Sequence, residues 1–216
     1  MHLPTILSIQ VGRPRQLVTR GQPWVSAIYK EAVDGPVQLG AQNIAGDEQA
    51  WEGHGGPDQA VLAYAAEWYP LWRHELERDD ITFGGFGENL TVSGLNEFSA
   101  CIGDVFALAD KGNAIHARVQ VSQPRQPCSK LTRRWDCPDL AKQVQRTSRT
   151  GWYFRVLEEG QLQAPMIMRL EDRLHPGWTI ARASETMTRR TRSVDDALEL
   201  ASLAALSSSW RAALSS

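Results

Sequence analysis

Cys128 closes the segment Ser122-Gln-Pro-Arg-Gln-Pro-Cys128, which leaves an alternating run at residues 115 to 121 and is stiffened by two prolines. Arg125 and Lys130 flank the thiol, and nearby cations favour the thiolate. Thiolates bind soft metals or attack electrophiles. The other reading is a buried, inert cysteine at a strand end, because cysteine is among the most buried residue types. The remaining cysteines, Cys101 and Cys137, make no C-x-x-C pair with it or with each other, and three thiols cannot all pair within one chain. That pattern predicts a reducing compartment and a cytoplasmic protein.

Three further segments carry groups that could do chemistry. Residues 46 to 50, Gly-Asp-Glu-Gln-Ala, precede His54-Gly-Gly-Pro-Asp58. Adjacent Gly55 and Gly56 let backbone N–H groups converge on an anion, and His54 could donate to it or move a proton; the other reading is a tight turn that satisfies His54 and Asp58 locally. Phe83-Gly-Gly-Phe-Gly-Glu-Asn-Leu90 sets Gly87, Glu88 and Asn89 where a backbone can approach a ligand and a carboxylate or amide can read a heterocycle. A glycine-rich bend leading into a strand is the other reading. Thr150-Gly-Trp-Tyr-Phe-Arg155 reads mainly as core aromatics beside a surface arginine.

Several chemistries fail on spacing. No G-x-G-x-x-G or G-x-x-x-x-G-K run occurs, and the histidines at 2, 74, 116 and 175 lack H-x-x-x-H or H-E-x-x-H spacing. Ser93 has no G-x-S-x-G setting. A cysteine hydrolase built on Cys128 and His54 stays open.

The elements that must position these groups are mostly strands. The 216 residues, 42% hydrophobic, suffice for one substantial core with a small appendage. Period-two or β-branched runs at 5 to 11, 25 to 33, 59 to 64, 88 to 92, 102 to 108, 115 to 121 and 164 to 170 predict a barrel or closed sheet. Helical patterns at 66 to 78 and 138 to 146 predict two lids on that sheet. Strand signals fade after His175-Pro-Gly, and Ser193 can cap a helix carrying Val194, Ala197, Leu198 and Ala201 on one face, with Leu206, Trp210 and Leu214 repeating the pattern. The predicted fold is therefore mainly β (α+β), with a barrel over residues 1–171 and a three-helix module over 172–216. That module either packs on the barrel or docks another chain.

Charge is uneven along the chain. Residues 118 to 155 hold nine Lys or Arg against Asp136 and Asp139, a window of +7 in a chain of net −2. This predicts an anionic ligand or acidic partner around Cys128, or else a solvated face. Nucleic-acid binding is not expected, since no basic helix interleaved with aromatics appears. No signal-peptide core and no membrane-spanning apolar run is present in the sequence.

Taken in order, Gly-Asp-Glu-Gln-Ala, His-Gly-Gly-Pro-Asp, Phe-Gly-Glu-Asn-Leu, Ile-Gly-Asp-Val-Phe, Val-Ser-Gln-Pro-Arg-Gln-Pro-Cys-Ser-Lys-Leu and Gly-Trp-Tyr resemble the MOSC-domain family, in its YiiM type. The resemblance implies a MOSC-type β-barrel that binds a molybdenum cofactor, a molybdopterin-type pterin with a terminal phosphate, with Cys128 as the metal's protein ligand. It implies reduction of N-hydroxylated bases and related small N-oxygenated compounds to the amines. On motif position and chemistry, His54 and Glu88 are the expected proton donors. Arg125 and Lys130 are expected to hold the phosphate or the loop itself, and Ser122 and Gln123 to help orient the pterin. His54, Gly55, Gly56, Asp58, Gly87 and Asn89 are expected to shape the cleft. Lacking a flavin or nicotinamide fingerprint, the chain needs a separate flavin or iron–sulfur reductase as electron donor. A homodimer is compatible with this. Alternatives are a sulfur carrier using a Cys128 persulfide and a cofactor carrier without turnover.

Overall fold

The computed structural model describes residues 3–51, 53, 55–190 and 192–215. The strands are β1 (Thr5–Val11), β2 (Arg15–Thr19), β3 (Gln22–Ser26), β4 (Glu31–Ala32), β5 (Val37–Leu39), β6 (Val61–Ala65), β7 (Leu90–Ser93), β8 (Val105–Ala109), β9 (Ile115–Pro124), β10 (Trp152–Glu158), β11 (Gly160–Leu162) and β12 (Met166–Asp172). The helices are α1 (Trp68–Leu76), α2 (Ser129–Trp135), α3 (Leu140–Arg146), α4 (Ile180–Thr188), α5 (Val194–Ser202) and α6 (Ser208–Leu214), with a 3-10 turn at Pro57–Gln59.

Seven strands close into a barrel in the order β12-β8-β9-β10-β6-β7-β1, and β1 returns to β12 through Thr5 opposite Ile167 and Ile6 opposite Met166. Closure leaves these strands without a free edge. Their pairings are antiparallel except β6 with β7, where Ala63 pairs with Leu90. A parallel pair needs a crossover, and α1 together with the glycine-rich segment 83–88 forms it. β6 is buried at all five positions because it is packed on both faces. Val61 and Ala63 enter the main core, while Tyr64 enters a satellite cluster with Tyr69, Trp72, Phe86, Leu131, Trp135 and Leu140. Burial of these aromatics is the chief attachment of α1, α2 and α3 to the barrel wall.

Three expectations change on contact with the structure, and one open alternative is decided. The predicted strand at 25 to 33 is broken, because residues 27–30 form a loop between β3 and β4. β3 instead pairs with β2 in a hairpin, Leu17 opposite Trp24. The segment after Val121 is not a loop until Arg125, since β9 continues to Pro124 against β10. Ser193 precedes α5 but does not cap an amide; its hydroxyl donates to Asp196 Oδ2 at 2.7 Å. Between docking and packing, the C-terminal helices pack: Ile180, Ala183, Met187, Leu200, Leu206, Trp210 and Leu214 belong to the main core of the barrel.

Candidate functional site

A cleft of about 510 Å³ lies where several of these elements meet. Its walls come from the loop 27–30, residues 47–51, 53 and 55, the end of the glycine-rich segment, the end of β9, the start of α2, Tyr153 on β10, and α4 and α6. Cys128 faces it half-buried, in extended conformation (φ −122°, ψ 171°), immediately before the first turn of α2. α2 is held from behind. Leu131 and Trp135, four residues apart, bury one stripe in the satellite cluster, and the Trp135 indole donates to Gly85 O at 2.8 Å. Arg134 Nη1 donates to the carbonyls of Ile28 and, at 2.9 Å, Gly84, while its guanidinium stands over the Tyr29 ring. Burial lowers the Arg134 pKa, with the negative charge of Glu88 acting against that shift. One arginine thus ties the cysteine's helix to two other walls of the cleft.

The polar groups of the cleft are unevenly satisfied. Arg125 is 6% exposed and its Nη2 donates to Phe86 O at 3.3 Å, but Nη1 is buried with no partner. Gln123 is 4% exposed and its Oε1 is equally orphaned. Buried polar atoms of this kind are rare and call for a partner. Opposite in character is Lys30, whose Nζ lies 2.5 and 2.6 Å from the two oxygens of Asp47. Asp47 Oδ1 also accepts from Gly12 N at 2.8 Å. Burial lowers the Lys30 pKa, against the pull of Asp47. Lys30 is a cleft residue that the sequence reading missed, because the loop 27–30 was read as strand; Asp47 lies in the segment 46–50 singled out in the sequence, but no spacing links it to Lys30. Tyr153 is the other omission, its hydroxyl pushed up in pKa by burial while Arg125 pulls it down.

The expected site residues divide into two groups. Cys128, Arg125, Lys130, Gln123, Gly55, Gly87 and Asn89 line the cleft. Gly87 is at φ +82°, and a Cβ there would lie 3.0 Å from Ile28 Cγ1, so the turn and the close approach both need glycine. Asn89 lends its backbone position more than its amide, since Oδ1 accepts from Leu62 N and Nδ2 donates to Gln10 O. Glu88, Ser122, Asp58 and Gly56 are not among the cleft residues. The Glu88 carboxylate is fully buried and receives the Tyr69 hydroxyl, Gly84 N at 2.7 Å, Phe86 N at 3.1 Å and the Thr91 hydroxyl at 2.9 Å. It is the internal brace of its own loop. The Ser122 hydroxyl donates to Asp58 O at 2.6 Å, and the Asp58 carboxylate binds Arg155 and Ser208. His54 lies outside the described residues.

No three His, Cys, Asp or Glu side chains converge as a metal set among the described residues. A metal held at Cys128 would therefore bring most of its ligands with it. No helix among the described residues is long and apolar enough to cross a membrane.

A closed barrel with helices folded over it and a thiol in its cleft is an architecture for holding a small molecule. The chain belongs to the MOSC-domain family: residues 51–169 match the MOSC domain, and residues 178–216 match the YiiM-like 3-alpha helix domain. It is 41% identical over 209 residues to the uncharacterized protein YflK of Bacillus subtilis, covering 96% of this chain and 91% of that one. A Gibberella moniliformis protein named a reductase is 36% identical over 88% of this chain, which spans 33% of the fungal protein. The crystal structure of YiiM from Geobacillus stearothermophilus superposes with a TM-score of 0.81 at 35% identity, covering 98% and 97% of the two chains. The mainly β barrel with a helical C-terminal unit is thus shared with solved YiiM-type proteins.

Proposed function

We propose that this protein binds a molybdenum cofactor in the cleft through Cys128 and reduces N-hydroxylated bases and related small N-oxygenated compounds to the amines. MOSC domains are generally associated with that cofactor, and the name of the fungal relative agrees with reductive chemistry. The observation that carries the reading is the pairing of a half-buried thiol with two orphaned buried groups in one cleft, a guanidinium N–H donor and an amide acceptor. A group that brings its own sulfur ligands, a heterocycle with donor edges and a phosphate matches all three. Cys128 would give the metal a soft ligand. Arg125 Nη1, with Lys130, would bind the phosphate, and Gln123 Oε1 would accept from the pterin. When bound, the cofactor supplies two electrons to an N–O bond, which with two protons becomes an amine and water.

The residues around it have their own tasks. Lys30 Nζ holds a proton against Asp47 in the cleft wall, and His54 remains our proposed proton donor. Glu88 acts through the loop it braces. Electrons come from a separate flavin or iron–sulfur reductase.

The test is a metal and pterin assay on protein made in a host with an intact cofactor pathway, beside Cys128→Ser. Molybdenum and pterin should copurify with the native chain and not with the variant, and reduction of a hydroxylaminopurine by a chemical electron donor should follow the metal. A preparation with neither metal nor pterin but with sulfane sulfur on Cys128 would replace this reading with a sulfur carrier; loaded protein without turnover would leave a cofactor carrier.

A further inference from the structure

α6 contributes Ser209, Trp210 and Ala213 to the cleft. Two kinds of contact hold it there. Trp210 and Leu214 are buried in the main core, and burial of apolar surface fixes that a helix stays attached without fixing its exact angle. Direction comes from polar contacts at its start. Ser208 donates its amide to Asp58 Oδ2 at 2.9 Å and its hydroxyl to the same oxygen at 3.2 Å, and Ser207 N donates to Ser122 O at 3.0 Å. Asp58 Oδ1 in turn receives Arg155 Nη2 at 2.7 Å and Nε at 3.1 Å. Burial raises the Asp58 pKa, but the Ser208 amide and Arg155 together hold it below the ordinary carboxylate range. The carboxylate sits in the turn whose neighbours Gly55, Gln59 and Ala60 form part of the cleft. One side chain therefore links two walls of the cleft without reaching into it.

We propose that Asp58 is a positioning residue: by seating the first turn of α6, it sets the cleft width that admits a flat bicyclic substrate. The substrate class rests on the reductase reading above; the joint itself does not. Without the tie, α6 stays on the barrel through Trp210, Leu214 and the Ser207 amide on Ser122 O but its first turn is held less firmly, and discrimination by substrate bulk is lost before chemistry is.

Ser208→Pro tests this cleanly. Ser208 is the first residue of α6, a position where proline suits the helix, and the change removes both donors to Asp58 at once. Asp58→Asn is its partner variant. Hydrogen exchange should quicken by roughly tenfold at residues 211–214 in both variants, with β6 and β9 unchanged. In the loaded enzyme driven by a reduced viologen, KM for an N-hydroxylated purine should shift by about fivefold or more, with kcat within about twofold and KM for a small acyclic hydroxylamine unchanged. Combining the variants should add little to either alone. Unchanged exchange at 211–214 overturns the proposal, as does an equal KM shift for both substrates or a fall in kcat alone. If Asp58→Asn does not fold, Ser208→Pro decides. Metal and pterin content of the same samples reports separately on the reductase reading, and the exchange experiment stands without it.

Discussion

The glycine-rich segment 83–88 and the cysteine segment 122–130 look equally chemical in sequence, and the structure separates them. In the first, the carboxylate of Glu88 has four donors and nothing left to offer a ligand. In the second, Gln123 Oε1 and Arg125 Nη1 are buried with capacity unused, and Cys128 stands in the same cleft. Satisfied polar groups build the walls of a site, and unsatisfied ones beside a cleft are candidates for a ligand's contacts.

That contrast can be broken by a series ranked on stability. Glu88→Ala has the largest expected cost, about 3 kcal/mol or more by urea denaturation, because it strands two buried backbone amides and two hydroxyls. A cost near that of a surface change would mean that the brace is not as described. Glu97 is the next case, buried like Glu88 but with two donors, Gly151 N at 2.6 Å and the Trp68 indole at 2.7 Å. Burial raises its pKa to about 7 against those hydrogen bonds and Arg149. The folded chain therefore binds this proton more tightly than the unfolded chain, so its contribution is full below about pH 4.5 and is lost as pH rises to about 7. Glu97→Gln should flatten that slope, by up to about 3 kcal/mol between the two limits. An unchanged slope would remove Glu97 as its source.

Arg134→Met keeps the aliphatic stem and removes the donors to Ile28 O and Gly84 O. About 2 kcal/mol should be lost, and cofactor content should fall too, because the clamp joins the braced segment to the cysteine's helix. Full cofactor content in a destabilised variant would confine Arg134 to folding. Cys128→Ser should change stability least, within about 0.5 kcal/mol, while abolishing cofactor retention. Were it instead to cost several kcal/mol with the cofactor retained, the thiol would be core and not ligand.

Much of the barrel was legible because strand periodicity is local. β1 matches its predicted range, 5 to 11, and β7, β8, β9 and β12 lie within a few residues of theirs. α2 was missed: its two buried residues, Leu131 and Trp135, give one short stripe, and its final turn carries Arg133 and Arg134 where basic residues suit a helix end. β10 was read as aromatics in the core, which Trp152 and Phe154 are, without the strand that carries them. At the site, the family motifs pointed to Cys128, Arg125, Lys130 and Gln123. They could not tell a brace from a ligand group at Glu88, nor a tether from a cleft residue at Asp58, since both distinctions depend on partners at a distance in the chain. Ser208, for example, is 150 residues from Asp58. Lys30 and Asp47 meet for the same reason, across two loops with no shared period.

The pairing of β1 with β12 has a consequence for the order in which the molecule can be made. Thr5 is synthesised long before its partner Ile167. A nascent chain short of that strand has no closed ring, and one short of α6 lacks a wall of the cleft. Cys128 therefore leaves the ribosome well before the pocket that shields it exists. During that interval the thiol is open to oxidants and stray metal ions, with no closed cleft around it.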